Sequence, residues 1–403
     1  MTHTLTLAAG RRTVRVRSNS ASVTDWAARY FGPYWRASPS TSAEGPTVTA
    51  TDADHQAPAP LAHSQHAVFA RERIGYTRHL DGTVTAQTLS DPALGYHYNP
   101  AEQHLAITSR EDLTASSRPG RPTRLATATT RFAREMMRAQ LIADGWVLLH
   151  ASAVTFPGGR TLLALGDSGA GKTTTALTLA TQGTALLAND CCFARPHPDG
   201  TLRLLPWPSA AAIGLGLLKA LSLSTAAGHH LRTGEPPHPT QDQSVTDALV
   251  NGQVTPLRSE SGRELKAHIW PEQLTRWLGL PLATSGTATA VLLPRITPSL
   301  TAPAGIDTSR DAHVTAEVFV ASDTERYPDL FGFHNGSNAG MPNAQSAVLQ
   351  HLNRLPRHAI RLGHNHEANR EFLTTLSAPF VAPTLDDGQH HLRHGATKGS
   401  PGA

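Results

Sequence analysis

The apolar residues of this chain follow two different patterns. In the N-terminal region they alternate with polar residues at 3–7 and 13–17, as in half-buried strands, and further strands are predicted at 67–77 and 83–89, with another hairpin at 96–107. Further along they form short uninterrupted runs, as in strands buried on both faces, at 162–165, 185–188 and 288–294. The two patterns predict an α+β N-terminal domain with mostly antiparallel strands, followed by an α/β domain.

Apolar residues at helical spacing predict the helices. The clearest helix spans 123–143, and its polar residues Arg131, Arg134, Glu135 and Arg138 are predicted to form a solvated face. Further helices are predicted at 22–31, 174–181, 210–223, 345–355 and 367–376. Loops are predicted where Pro, Ser, Thr or His are frequent, at 37–63, 229–243 and 299–313. The resulting domain boundaries are 1–115 for the N-terminal module, 116–145 for a linker helix, 146–376 for the α/β domain and 377–403 for a disordered tail.

One turn between a predicted strand and a predicted helix matches a sequence pattern that is typical of phosphate-binding loops. Residues 166–173, GDSGAGKT, match the pattern G-x-x-x-x-G-K-[ST] at every fixed position. Its glycines let successive backbone N–H groups point at a phosphate chain, and the helix N-terminus adds a partial positive charge. We therefore predict a nucleotide-phosphate site formed by Gly166, Asp167, Ser168, Gly169, Ala170, Gly171, Lys172, Thr173 and Thr174.

Side chains next to this loop complete a predicted site for phosphate and magnesium. Lys172 is expected to reach the outer phosphates, and the Thr173 hydroxyl is expected to bind Mg²⁺. Asp190 closes the segment that follows the apolar run 185–188, and a carboxylate at the end of a neighbouring strand is a common magnesium ligand. The sequence therefore predicts ATP, or another nucleoside triphosphate, and Mg²⁺ as cofactors.

Composition narrows the class of protein further. The net charge is +4, but acidic and basic residues are intermixed and no basic run contains interleaved aromatics, so no nucleic-acid partner is expected. The two cysteines, Cys191 and Cys192, are adjacent and cannot staple distant parts of the chain together. We find neither a signal-peptide pattern nor an apolar stretch of membrane-spanning length. The expectation is a cytoplasmic protein with reduced thiols and no membrane partner.

Several segments of the second region resemble one known family. The order of LLHASAV (148–154), GGRTLLALGDSGAGKT (158–173) and TALLAND (184–190) is similar to that of the HPr kinase/phosphorylase superfamily. Four further segments look similar to actinobacterial members, among them kinases that modify peptide natural products: PWPSAAAIGLGLLKAL (206–221), GRELKAHIWPEQL (262–274), ATAVLLPRITP (288–298) and LPRHAIRLG (355–363). The resemblance covers roughly residues 146–376 and implies a P-loop core of the HPr kinase/PEP carboxykinase type.

The resemblance also implies a reaction and further site residues. The reaction is transfer of a phosphoryl group from ATP to a hydroxyl of a peptide or small molecule in specialised metabolism. His150 falls on the family's histidine beside the phosphate loop, and Lys266 lies where relatives carry a basic residue near the active face. For His150, Asp167 and Lys266, a structural or solvated role is an alternative. The family also forms ring-shaped oligomers, so a homo-oligomer is compatible with the resemblance.

The chain departs from the family at the end of the strand 185–188. Relatives usually carry two aspartates there, one of them thought to be the general base, whereas this chain has Asn189 and Asp190. An amide does not take up a proton at neutral pH, so Asn189 is not a general base.

Three outcomes follow from this departure. His150 or Asp167 takes the proton, or the acceptor hydroxyl needs little help because phosphoryl transfer depends mostly on positioning and charge neutralisation. In the third outcome the protein binds nucleotide without transferring phosphate and acts as an accessory or regulatory protein. An enzyme that hydrolyses ATP to activate a peptide is a further alternative. No motif names the acceptor, which we expect the N-terminal module and the loop 229–243 to select.

Overall fold

The computed structural model describes residues 1–39, 45–52, 65–69, 72–90, 94–109, 122–306, 313–320, 329–334 and 340–381. Within these residues the protein is mixed α/β, as predicted, with an N-terminal sheet, a central sheet and a small third sheet. The predicted disordered tail lies outside the described residues from 382 onwards, whereas residues 377–381 are helical.

Hairpins build most of the N-terminal sheet. Its strands are β1 (His3–Ala9), β2 (Arg12–Ser18), β3 (Arg36–Pro39), β4 (Thr47–Asp52), β5 (Gln65–Phe69), β6 (Glu72–Arg78), β7 (Val84–Thr88), β8 (Leu94–Asn99) and β9 (His104–Ser109). They pair in the order β3-β1-β2-β4-β9-β8-β7-β6-β5. Among these strands, β4 is the one that runs parallel to its neighbours, β2 and β9.

Two predictions for this sheet were wrong. The stretch 37–63 was predicted to be a loop, but β4 lies within it and pairs in the middle of the sheet. The β-branched residues of β4 favour a strand, and Val48 is fully buried, so its own composition outweighs the Pro- and Ser-rich neighbours. The predicted single strand 67–77 is two antiparallel strands, β5 and β6, with Ala67 opposite Ile74.

Two helices, α1 (Ala21–Phe31) and α2 (Arg124–Ala143), pack on each other and on the N-terminal sheet. Helix α1 begins at Ala21, one residue before the predicted start at Ser22. Thr123 caps α2, because its hydroxyl oxygen accepts a hydrogen bond from the backbone N–H of Ala126. The helix predicted as a linker thus packs into the core of the N-terminal sheet, where Phe132 is fully buried.

The prediction of a solvated polar face on α2 was wrong. Glu135 and Arg138 are buried, and their side chains form an ion pair of 3.3 Å. The guanidinium of Arg134 lies 4.6 Å from the centre of the Trp207 ring and donates a hydrogen bond to the backbone oxygen of Pro208. The spacing of apolar and polar residues predicted the helix correctly, but it did not show what packs on the polar face. The second region of the chain covers that face.

The second region contains the strands of the central and small sheets. They are β10 (Val147–Leu149), β11 (Ser152–Thr155), β12 (Arg160–Ala164), β13 (Ala185–Ala188), β14 (Cys192–Pro196), β15 (Leu202–Pro206), β16 (Ala211–Gly214), β17 (Leu257–Arg258), β18 (Glu264–Ile269), β19 (Gly286–Ile296), β20 (Ala304–Ile306) and β21 (Arg357–Leu362). The central sheet has the order β10-β14-β15-β19-β12-β11-β13, with β21 also beside β19 and β20 beside β21. The small sheet has the order β16-β18-β17. In the central sheet, β19 runs parallel to both β12 and β21.

The helices of this region are α3 (Lys172–Ala180), α4 (Leu215–Ala220), α5 (Ser224–Arg232), α6 (Gln243–Val250), α7 (Pro271–Arg276), α8 (Met341–Leu352) and α9 (His366–Val381). The predicted helix 210–223 was wrong in its first part, because residues 211–214 form β16 and pair with β18. Helix α5 also extends into the predicted loop 229–243, and α9 continues past the predicted end at Leu376. Across the described ranges, none of the helices combines the length and the apolar character that crossing a membrane requires.

Aromatic residues join the N-terminal sheet to the second region. The rings of Trp26 and Trp270 meet edge to face with centroids 4.7 Å apart. The indole N–H of Trp35 donates to the backbone oxygen of Pro206 at 3.2 Å. Beside them, Arg29 on α1 forms two hydrogen bonds with the carboxylate of Glu272 on α7, at 2.6 and 3.0 Å. The two regions therefore share one hydrophobic core.

We predict that Trp270→Ala lowers the free energy of unfolding by about 3–5 kcal/mol, because it leaves a cavity where the two regions meet. Leu80→Ala, at an exposed position, is the control and is expected to change stability by less than about 0.5 kcal/mol. Urea unfolding followed by circular dichroism measures both. Equal stabilities of the two variants would contradict a shared core at Trp270.

Candidate nucleotide-binding site

The glycine-rich loop, residues 166–173, connects the end of β12 to the start of α3. Gly166, Gly169 and Gly171 have φ angles of 141°, 83° and 111°. This part of conformational space is open to glycine and strained for other residues. The backbone therefore favours glycine at both glycine positions that the sequence pattern fixes, Gly166 and Gly171, and at Gly169 between them, and α3 begins directly after Gly171.

The loop packs closely against the far end of β19. A Cβ atom added at Gly171 would lie 3.0 Å from the Cδ1 atom of Ile296. At Gly166 an added Cβ would lie 3.2 Å from the Cβ atom of Ala170 within the loop itself. The parallel pairing of β12 with β19 continues to the loop, since the backbone N–H of Leu165 donates to the oxygen of Leu292 at 2.9 Å. The pairing of β12 with β19 therefore determines the position of the glycine-rich loop.

The side chain of Lys172 turns into the loop. It is buried, and its ammonium donates hydrogen bonds to the backbone oxygens of Gly166 at 2.6 Å and Asp167 at 3.0 Å. Burial lowers the pKa of Lys172, whereas the negative charges of Asp190 and Asp167 raise it. The loop therefore encloses the ammonium of Lys172, and two carboxylates lie close enough to act on its charge.

Asp190 and His150 meet beside the loop. His150 follows β10, Asp190 follows β13, and the Nε2 atom of His150 lies 3.0 Å from an Oδ1 atom of Asp190. The hydrogen bond from His150 lowers the pKa of Asp190, and the positive charge of Lys172 acts in the same direction. The carboxylate is therefore ionised and accepts the hydrogen bond. The backbone of His150 is held separately, because its N–H donates to the oxygen of Val318.

Asn189, next to Asp190 in the chain, has one side-chain polar atom without a hydrogen-bond partner among the described residues. Its backbone oxygen accepts a hydrogen bond from the hydroxyl of Ser152. Its side-chain oxygen Oδ1 is buried and has no hydrogen-bond partner among the residues that the structure describes. Leaving such an acceptor unsatisfied costs free energy.

Lys266 reaches the same site from the small sheet. It lies exposed on β18, and its positive charge adds to the burial that lowers the pKa of Lys172. The structure thus brings Lys172, Asp167, Asp190 and His150 together with Lys266. Of the other predicted residues, Ser168 is exposed in the loop, and Thr173 and Thr174 are half-buried in the first turn of α3.

Sequence analysis did not identify a pair of histidines near Lys266. His268 lies two residues further along β18, on the same face of the strand. The Thr240 hydroxyl oxygen lies 2.9 Å from Nδ1 of His238 and 3.0 Å from Nδ1 of His268. Burial lowers the pKa of His238 to about 3, so this ring is neutral. The alternation of Lys266 and His268 on β18 was a signal for His268. No such signal existed for His238, because it lies in a loop that is distant in sequence.

The predicted magnesium ligands are Thr173 and Asp190. Mg²⁺ bound with a nucleotide commonly takes one or two protein oxygens and completes its shell with phosphates and water. A hydroxyl and an ionised carboxylate beside the glycine-rich loop fit that type of site. The described residues contain no group of three or more His, Cys, Asp or Glu side chains that could hold a metal ion.

No protein-family model matches the chain, and no curated protein is significantly similar to it. The resemblance to HPr kinases therefore stays a prediction based on the segments around the glycine-rich loop and the end of β13.

The adjacent cysteines lie at the edge of the site with free thiols. Burial raises the pKa of Cys192 to about 12. Burial and the neighbouring charge of Asp190 raise the pKa of Cys191 well above its usual range. Both thiols are therefore protonated at neutral pH, and the reactive thiolate is scarce.

We predict that iodoacetamide alkylates both cysteines of the folded protein at least about tenfold more slowly at pH 7.5 than those of the unfolded chain, whose thiol pKa is about 8.5. The rate in the folded state should keep rising up to the highest pH at which the fold survives, because the thiolate fraction increases until the pH passes the raised pKa. Mass spectrometry of quenched samples measures both rates. Fast labelling of the folded protein at pH 7.5 would contradict the raised pKa values.

Proposed function

We propose that this protein is a P-loop kinase with a core of the HPr kinase/PEP carboxykinase type. It transfers a phosphoryl group from ATP to a hydroxyl of a peptide or small molecule, in the cytoplasm where ATP is available. The observation that carries the proposal is the buried ammonium of Lys172 inside the glycine-rich loop, where burial lowers the pKa of Lys172 and the nearby negative charge of Asp190 opposes that effect. Phosphoryl transfer needs this combination of cation, backbone N–H groups and carboxylate.

Each residue of the loop has a role in this proposal. Gly166, Gly169 and Gly171 let the backbone N–H groups face the phosphates. Lys172 exchanges its hydrogen bonds with the loop oxygens for bonds to the outer phosphates. Thr173 and Asp190 hold Mg²⁺, which when bound neutralises charge on the phosphate oxygens.

His150 is the proposed proton acceptor in place of the missing aspartate. Because its Nε2–H donates to the ionised Asp190, the neutral ring carries its lone pair on Nδ1. Asp190 holds the ring in this tautomer and orientation, so Nδ1 is able to take the proton of an acceptor hydroxyl. Asp167 offsets the charge of Lys172, and Lys266 balances charge on the group being transferred.

We predict that Lys172→Ala abolishes ATP-dependent phosphorylation while the fold survives. The matched control is Lys219→Ala, which removes an exposed lysine of α4 and is expected to keep full activity. The measurement is mass spectrometry of an extract of the source incubated with protein, ATP and Mg²⁺, in which one peptide or metabolite gains a phosphoryl group. Full activity of Lys172→Ala would refute the assignment of the loop. Release of free phosphate without a phosphorylated product would identify an ATP hydrolase instead.

The second candidate is a nucleotide-binding accessory or regulatory protein. The observation that favours it is the buried, unpartnered amide oxygen of Asn189, where the family carries a base. Such a protein binds ATP through the same loop and transmits the bound state to a partner without transferring phosphate. Nucleotide binding by the unsubstituted protein with no phosphorylated product would place this candidate first.

We predict that Asn189→Asp changes the Kd for ATP by less than about threefold, because Lys172 and the loop supply most of the phosphate contacts. Isothermal titration calorimetry in the presence of Mg²⁺ measures the affinity, with the unsubstituted protein as reference. A loss of affinity of tenfold or more would place the side chain at position 189 against the phosphates or the metal.

A further inference from the structure

A second cleft lies at the opposite end of the central sheet from the glycine-rich loop. It has a volume of about 320 Å³ and is lined by residues from the turn before β12, the start of β19 and the hairpin of β14 and β15. The loop follows the last residues of β12, whereas this cleft lies before its first, a separation on the order of 15–20 Å along the strand. The cleft is therefore separate from the proposed nucleotide site.

Two arginines face each other across the hairpin that forms one wall. Arg195 on β14 is the direct partner of Arg203 on β15, and both line the cleft. Directly opposed residues of an antiparallel pair lie on the same face with their Cβ atoms about 5 Å apart, and two like charges in this arrangement repel each other. His197, on the same hairpin, adds a third nitrogen-bearing side chain.

The countercharges nearby balance this cluster only in part. Asp199 accepts a hydrogen bond from Arg203 at 2.8 Å and lies 3.0 Å from His197. Arg195 instead lies 4.7 Å from the centre of the Trp146 ring and donates to the backbone oxygen of Asp144. The carboxylate of Asp144 is bound by Arg12 from the N-terminal region. The side chains around the cleft therefore carry an excess of positive charge.

Neutral donors complete the lining. Thr287 accepts a hydrogen bond from Arg203 at 3.1 Å, so its hydroxyl hydrogen is available to another acceptor. Ser285 supplies a second hydroxyl, and the Trp146 side chain supplies an apolar wall. Guanidinium groups with hydroxyl donors are well suited to phosphate oxygens, and a cleft of this size is within the range of small-molecule sites.

We propose that this cleft binds a phosphate group, either free or carried by a small molecule, through the opposed pair Arg195 and Arg203. The bound negative charge removes the repulsion between the two guanidiniums. The proposal does not depend on the proposed kinase function, because none of these residues belongs to the glycine-rich loop.

The test measures phosphate binding by isothermal titration calorimetry in the Lys172→Ala background, which removes the principal cation of the other site. Inorganic phosphate and phenyl phosphate are the probes. Arg203→Gln is expected to weaken binding of both by about tenfold or more, because it removes a charge-assisted contact. Arg203→Lys, which keeps the charge, should retain part of the affinity. Arg17→Gln is the charge-matched control on the exposed surface of β2 and should leave the affinity unchanged.

Tighter binding of phenyl phosphate than of inorganic phosphate would support an organic phosphate as the ligand, and equal binding would support free phosphate. Absence of binding in the Lys172→Ala background would overturn the proposal. An affinity that does not differ between Arg203→Gln and Arg17→Gln would also overturn it, since the anion would then bind elsewhere. Circular dichroism of each variant separates loss of the site from loss of the fold.

Discussion

The parallel pairing of β12 with β19 is the constraint on which the rest of the candidate site depends. It carries the end of β12 to Ile296, against which Gly171 packs so closely that an added Cβ atom would lie 3.0 Å from the Ile296 side chain. The loop has to turn in the left-handed region to pass this point, and α3 then starts with Lys172 directed back into the turn. On the other side of β12, strand β11 pairs with β13 and brings Asp190 towards the same edge. The pairing of the strand backbones thus determines where Lys172 and Asp190 lie.

The N-terminal region belongs to this arrangement through α2. Its polar face is covered by the second region, where Arg134 stacks on Trp207 and its charge lowers the pKa of Cys191, against the larger effect of burial. Arg131 in turn lowers the pKa of His238, after burial and the charge of His268. A helix that also forms the core of the N-terminal sheet therefore supplies positive charge at two places near the candidate site.

Local sequence was sufficient where backbone and chemistry are decided within a few residues. The turn of the glycine-rich loop between β12 and α3, and the strand β13 that leads to Asp190, both follow from spacing and residue type. Contacts between distant segments decided the rest. The buried pair of Glu135 and Arg138 has the spacing of a solvated face, and residues 211–214 form a strand only because β18 offers a partner. For the same reason His238 was not predicted, since a loop brings it to β18.

The junction of Trp26 and Arg29 with Trp270 and Glu272 has an evolutionary consequence. Helix α7 follows directly on β18, the strand that carries Lys266, so α1 supports the segment that positions this lysine. A substitution in α1 would therefore shift α7 and, with it, the position of Lys266 at the candidate site. It would do so without changing any residue that touches a ligand. The two regions are therefore expected to diverge together. If recombination exchanged one of the two regions between related genes, it would join two surfaces that had not evolved together.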